Sequence, residues 1–380
     1  MTAIRSKRSR SAMITSLPWG YPEMDRMLKN APVRIGIVGI GRAGWGMHCE
    51  ELRGKEPMFE IVAACDLIEE RRRKMAERFG CSTYSRIEDL IADPQVELVD
   101  IATMSCDHFA HAKMALEAGK DVFLEKPMCT NCEDAQALVD IAASSNGKLY
   151  IRHNRRFEPG FQHIKEIIAS GILGDVFEIK LRRVSFQRRD DWQTLKELGG
   201  GQLLNWGPHI IDHALRFLES PMKSMWSDLK LVAAAGDAED HLKIILTGEN
   251  GRMVDLEISG GAAIGEPVYL IWGTRGALSC DDQSITLRYL DPDQQLSKRV
   301  ADPGTPGTDS FGAPETLSWI EKTISIGPKE KVDMTSIWDA LYRSIRNGEP
   351  FPIKLEEAVE VMKVISDARA ASGSLSVGNR

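Results

Sequence analysis

Three groups of residues have types and spacings that could do chemistry, and the first is a pair of histidines. His209 and His213 lie four apart in "NWGPHIIDHALRFL", with Asp212 directly before the second. Histidines at i and i+4 share a helix face, the way a zinc hydrolase presents two ligands. That reading also needs a third ligand and an acid directly after the first histidine, so the pattern assigns no metal. Pro208 belongs in a first helical turn, which places His209 near a helix N-terminus. The partial positive charge there favours a neutral ring that can accept a proton. Asn205, His209, Asp212 and Arg216 form one stripe of this helix, with His213 at its edge. Ile210, Ile211, Ala214, Phe217 and Leu218 form the side that packs.

The second group is the run Gly39-Ile40-Gly41-Arg42-Ala43-Gly44, which follows the apolar "VRIGIV" and precedes a helical segment. Glycines between a strand and a helix let the backbone approach a pyrophosphate at the helix N-terminus. Asp66 ends the next apolar run, "FEIVAACD", about twenty residues on, where a dinucleotide fold places its ribose-binding acid. A carboxylate there favours NAD over NADP, and Arg71, Arg72 and Arg73 read as a solvated helix face.

The third group is "Glu125-Lys126-Pro127". A residue before proline is held out of the α region, so the chain turns extended here and fixes the direction of the ammonium group. Strand-like and helical segments alternate from Val33 to His153, which predicts a parallel sheet covered by helices. Ligands bind such sheets at the carboxyl ends of the strands. Thr103, Ser105 and His108 follow "VDIA", and Glu125 and Lys126 follow "DVFL", so both sets belong to the binding edge.

Beyond His153 the pattern changes to successive strands, with Asn250-Gly251 as a tight turn between two of them. Clustered strands after an alternating half imply a separate α+β domain with a large, mostly antiparallel open sheet. The expected division is a flexible tail over 1–31, a Rossmann domain over 32–152, and a substrate-binding and oligomerisation domain over 153–380. The chain of 380 residues carries a net charge of -7, which argues against a nucleic-acid partner. No apolar run is long enough for a membrane helix. Seven scattered cysteines suit a reducing, cytoplasmic setting. Cys129-Thr-Asn-Cys132 reads as a helix start capped by Thr130 or Asn131 rather than a redox or zinc motif.

The order of glycine loop, acid, "EKP", "NRRF", and a glycine run leading to a histidine resembles the Gfo/Idh/MocA oxidoreductases. The wording of "NRRFEPGFQHIKEIIASGILGDV" is nearest their inositol- and sugar-dehydrogenase-like members. The resemblance spans residue 33 to about 370. It implies an NAD-dependent dehydrogenase acting on a secondary hydroxyl of a cyclic polyol, sugar or sugar derivative. Lys126 and His209 would then be catalytic, with Asn205 and Arg155 binding substrate beside them. The cofactor would contact Gly39 to Gly44, Asp66, Thr103, Ser105, His108, Glu125, Lys126 and Arg155. It also implies a cis Lys126–Pro127 bond, and a homodimer or homotetramer formed through the second sheet. Two other fates of this architecture are NAD-dependent glycoside cleavage and a non-catalytic NAD-binding regulator. Asn205 departs from the usual aspartate, and Met104 stands where proline is common. An asparagine both donates and accepts, but it cannot supply a charge to raise the basicity of His209 or Lys126.

Overall fold

The computed structural model describes residues 31–305, 315–327 and 332–372, and the short strand Ser376–Val377. The expected N-terminal tail, Ala31 apart, lies outside the described residues. Six strands form the first sheet: β1 (Val33–Val38), β2 (Phe59–Cys65), β3 (Ser82–Tyr84), β4 (Leu98–Ile101), β5 (Asp121–Glu125) and β6 (Leu149–Arg152). Their order is β3-β2-β1-β4-β5-β6, and every pairing is parallel. Strands β1, β4, β5 and β6 are almost wholly buried, which is why they read as near-continuous apolar runs. Asn131 caps the helix Cys132–Ser144, its side chain accepting from the Asp134 amide at 2.8 Å.

The second sheet has nine strands. They are β7 (Val176–Val184), β8 (Met222–Leu231), β9 (His241–Gly248), β10 (Met253–Ser259), β11 (Tyr269–Gly273), β12 (Gly276–Cys280), β13 (Ser284–Leu290), β14 (Trp319–Ser325) and β15 (Ser376–Val377). The order is β14-β13-β12-β11-β7-β10-β9-β8-β15. Only β10 with β7 and β15 with β8 pair in parallel. Asn250 and Gly251 turn β9 into β10, with Gly251 at φ +81°. The helix Gly207–Leu218 lies on the inner face of this sheet, against β7, β9 and β10.

Two late helices join the units. Leu355–Ala371 packs on Cys132–Ser144 from the first unit, and on Gly207–Leu218 and β8 from the second. Ser336–Asn347 returns to the first sheet and inserts Trp338. Its ring is fully buried, 4.8 Å from Phe123 and 5.6 Å from both Phe59 and His48 between centroids. The indole N–H donates to Glu51 Oε2 at 2.7 Å. Large aromatic truncations in packed cores cost about 3–5 kcal/mol, so Trp338→Ala should lower unfolding stability by that amount in a urea titration. A loss below about 1 kcal/mol would show that this helix is not integral to the first core.

Candidate active site

The glycine loop is shaped by close backbone approach. Gly39 has φ +89°, and a Cβ there would lie 2.7 Å from the Ala102 carbonyl oxygen. A Cβ on Gly44 would lie 2.1 Å from the Gly39 carbonyl oxygen, so the segment after the loop packs directly on the turn. Gly41 instead faces open space, with Arg71 Nη1 at 3.8 Å as the nearest atom to an added Cβ. Asp66 ties loop to strand. Its Oδ2 accepts from the Ile40 amide at 2.8 Å and its Oδ1 from the Ile68 amide at 2.9 Å. The solvated face read for the three arginines describes Arg73 alone, paired with Glu70 and Glu77. Arg71 reaches Asp66 at 3.2 Å, and Arg72 donates to the carbonyls of Asp66 and Leu67. An open glycine cradle, an acid at the end of β2 and exposed Leu67 beside it fit a dinucleotide. Gly41, Arg42, Ala43 and Asp66 are the residues that would hold its phosphates and ribose.

Glu125, at the end of β5, belongs to a buried charge network. Its Oε1 accepts from the Arg152 guanidinium and lies 3.2 Å from His48 Nε2. His48 Nδ1 is 2.7 Å from Asp100, and Arg152 also pairs with Glu51 at 2.5 Å. Burial alone would lower the pKa of His48, but Asp100 and Glu125 raise it to about 9. Burial would raise that of Glu125, but Arg152 and His48 hold it far below the usual range. The other oxygen of Glu125 accepts the Lys126 amide at 2.8 Å. Glu125, expected among the cofactor contacts, is therefore engaged on both oxygens within the protein and sets the turn that carries Lys126. His108 is placed similarly. It is almost fully buried, with its ring nitrogens 2.7 Å from the Pro127 carbonyl and 3.3 Å from that of Thr103. Both contacts brace the turn that carries Lys126. Thr103 Oγ1 meets His111 at 3.2 Å, and Ser105 is buried against Gly199. The Lys126–Pro127 peptide is cis.

Lys126 reaches across to the second unit, where Nζ donates to the Asn205 carbonyl at 2.9 Å. Burial, with Arg152, Arg42 and Arg155 nearby, lowers its pKa to about 8 against the opposing pull of Glu125. His209 lies one turn after Asn205 and is buried. Burial comes first, then the charges of Lys126 and Arg155, in holding its pKa well below the ordinary value. A neutral ring was expected from the helix terminus, and desolvation and the two cations act in the same direction. His213 does not join it. Its ring lies between the Tyr269 hydroxyl at 3.1 Å and the Arg155 carbonyl at 3.0 Å, stacked on Phe161. Asp212 is buried and pairs with Arg156, and the half-buried Arg216 pairs with Glu357 and Glu360, so both charges of the stripe are met by ion pairs. Arg155 lies over the Trp206 ring at 4.4 Å and pairs with Glu158 at 3.1 Å.

Sequence reasoning missed His48, Arg152, Trp206, Gln193 and Arg189. The glycine run is a signal for the last two. A Cβ on Gly200 would lie 2.7 Å from the Gln193 carbonyl, and one on Gly201 would lie 2.2 Å from Glu239 Oε1. That close approach brings the segment around Arg189 and Gln193 against Asn205, around a shared cavity that Gln202 and Glu239 also line.

A nucleotide-binding Rossmann unit whose strand-end lysine reaches a histidine helix on a second sheet defines a two-domain oxidoreductase. The chain belongs to the Gfo/Idh/MocA family. Residues 33–153 match its oxidoreductase domain, described as an NAD-binding Rossmann fold, and residues 161–279 match its C-terminal domain. An uncharacterised oxidoreductase of Schizosaccharomyces pombe is 30% identical over 315 residues, covering 78% of this chain and 82% of that one. A scyllo-inositol 2-dehydrogenase (NADP(+)) of Bacillus subtilis is 25% identical over 356 residues, covering 90% and 94%. A crystal structure of an NAD-binding protein from Listeria innocua superposes with a TM-score of 0.75 at 26% identity, covering 90% and 94%.

The raised pKa of His48 makes a testable pH dependence. A histidine whose folded pKa exceeds its unfolded value stabilises fully below the unfolded value, and that stabilisation is lost as pH rises through the folded one. The stability difference between the wild type and His48→Gln, from urea titrations, should be largest below pH 6.5 and shrink on passing pH 9. A difference constant over that window would mean that His48 is not charged in the fold.

Proposed function

We propose that the protein is an NAD-dependent dehydrogenase acting on a secondary hydroxyl of a cyclic polyol, sugar or sugar derivative. The observation that carries this reading is the convergence of two buried proton-transfer groups. Lys126 bonds to the backbone one turn before His209, and its charge is among those that keep the His209 ring neutral. A general base works best when it is unprotonated at working pH and within reach of the proton. Bound NAD supplies a nicotinamide carbon that accepts or returns a hydride. His209 then takes the hydroxyl proton, and Lys126 stabilises the developing negative charge on that oxygen. Asn205 and Arg155 position the substrate, and Thr103, Ser105 and the Gly39–Gly44 loop line the cofactor side.

The Asp66 carboxylate at the ribose position supports NAD over NADP. In this reading residues 32–152 bind the cofactor, and residues 153–380 bind substrate and assemble the homo-oligomer in the cytoplasm. Trp226, Trp272 and Trp319, partly exposed on the second sheet, support that assembly surface. Among the described residues no helix is long and apolar enough to cross a membrane.

The test is an NADH-absorbance screen over cyclic polyols and aldoses with NAD and NADP, repeated on Lys126→Met. Removing a proton-transfer group typically costs about 10²–10⁴ in rate. The variant should lose turnover to that extent while binding NAD nearly as tightly by calorimetry. Turnover that survives the substitution would refute the assignment.

A further inference from the structure

Asn205 stands where an acid would present only hydrogen-bond acceptors, and the residues behind it determine which end of its amide faces the cleft. Arg189 is fixed by Asp191, to which Nε and Nη2 donate at 2.9 and 2.8 Å. Nη2 also donates to Gln193 Oε1 at 2.6 Å. A guanidinium has no acceptor, so the atom of Gln193 that faces it must be the oxygen. The Gln193 amide nitrogen is thereby turned outward, and it donates to Asn205 Oδ1 at 3.3 Å. By the same logic the atom of Asn205 that faces Gln193 must be its oxygen. The amide nitrogen of Asn205, a pure donor, is left turned away from Gln193. The Gln193 backbone N–H also donates to Asp191 Oδ1 at 2.9 Å, which holds the segment in place.

The polarity thus passes from a donor-only arginine through two amides and ends as a donor at Asn205. Three charged groups nearby, Lys126, Asp240 and Glu239, do not reverse it. Lys126 Nζ is itself a donor. The two acids that line the adjoining cavity are held by backbone amides: Asp240 by Val232, Ala233 and Ala234, and Glu239 by Leu203. An aspartate at position 205 would repel a carboxylate and would have no proton for a carbonyl oxygen. The asparagine welcomes both.

We propose that the Arg189–Gln193 pair is the specificity-determining relay of this site. It fixes Asn205 as a donor toward the substrate, so the cleft takes a polyhydroxy compound bearing an sp2 oxygen beside the reacting carbinol. That oxygen is the carboxylate of a sugar acid or the oxo group of a keto sugar. The inference rests on the dehydrogenase reading for the placement of substrate against Asn205.

Two substitutions invert the donor without changing side-chain size. Asn205→Asp keeps the bond from Gln193 and turns an acceptor toward the substrate. Gln193→Glu leaves Asn205 in place but removes the donor behind it, which favours rotating the asparagine so that its oxygen faces the cleft. The probes are matched pairs: D-glucuronate with D-glucose, D-gluconate with sorbitol, and a keto-inositol with myo-inositol. Each is measured by calorimetry on the NADH-loaded protein and by kcat/KM.

The wild type should favour the sp2-oxygen member of at least one pair by about tenfold or more, as expected for one well-placed hydrogen bond. Both variants should lose or reverse that preference. The acid pairs and the keto pair identify which source of the oxygen is recognised. Equal or better binding of the neutral members by the wild type would overturn the inference. So would a preference that Asn205→Asp and Gln193→Glu leave unchanged. If acids or keto compounds bind with this pattern and no probe is oxidised or reduced, the dehydrogenase reading fails and the recognition relay stands.

Discussion

A carboxylate taken out of water must be paired, and Glu125 is paired on both of its oxygens. Arg152 and His48 hold one oxygen, and the amide of the next residue, Lys126, holds the other. Each partner is compensated in turn, His48 by Asp100 and Arg152 by Glu51, and Glu51 is fixed by the indole of Trp338. Breaking one member of a buried pair typically costs about 3–5 kcal/mol, because it strands a charge. The network therefore makes the direction of Lys126 a property of the core of the first sheet rather than of a loose loop. A late helix, Ser336–Asn347, closes that core through Trp338, 287 positions from its partner Glu51, so distant segments together set the direction of Lys126.

The second unit meets this amine with backbone as much as with side chains. Lys126 bonds the Asn205 carbonyl, and the Gly199–Gly201 run lets three segments approach closely enough to bring Gln193 and Asn205 together. Trp206 packs against two guanidiniums, of Arg155 and Arg183. His213 and Phe161 hold the Arg155 segment from behind. The result is a buried pocket rich in cations, in which His209 stays neutral and Lys126 is easier to deprotonate than a surface lysine.

Much of this was legible in the sequence because it depends on local rules. Glycines between strand and helix, an acid ending the next strand and a lysine before proline each declare their place without tertiary context. The parallel and antiparallel halves follow from alternation and clustering of apolar runs, and the Asn250-Gly251 turn from its dipeptide. Side-chain partnerships were not legible. Glu125 and His108 sit on the binding edge by position, yet both are engaged by partners that the sequence does not place beside them. Arg152 and His48 looked like part of a strand and part of a helix, since nothing local marks them as neighbours 104 positions apart. The partners of Asp212 and Arg216 were equally hidden, because Arg156, Glu357 and Glu360 come from distant elements.

Burial and nearby charge make Lys126, at the carboxyl end of a first-sheet strand, an amine poised near pH 8. Competitive labelling of lysines with a trace amine reagent across a pH series, read by mass spectrometry, measures this directly. Half-maximal reactivity of Lys126 is expected near pH 8, with suppression when NAD is bound. A midpoint at the ordinary lysine value of 10.5, unaffected by NAD, would contradict it.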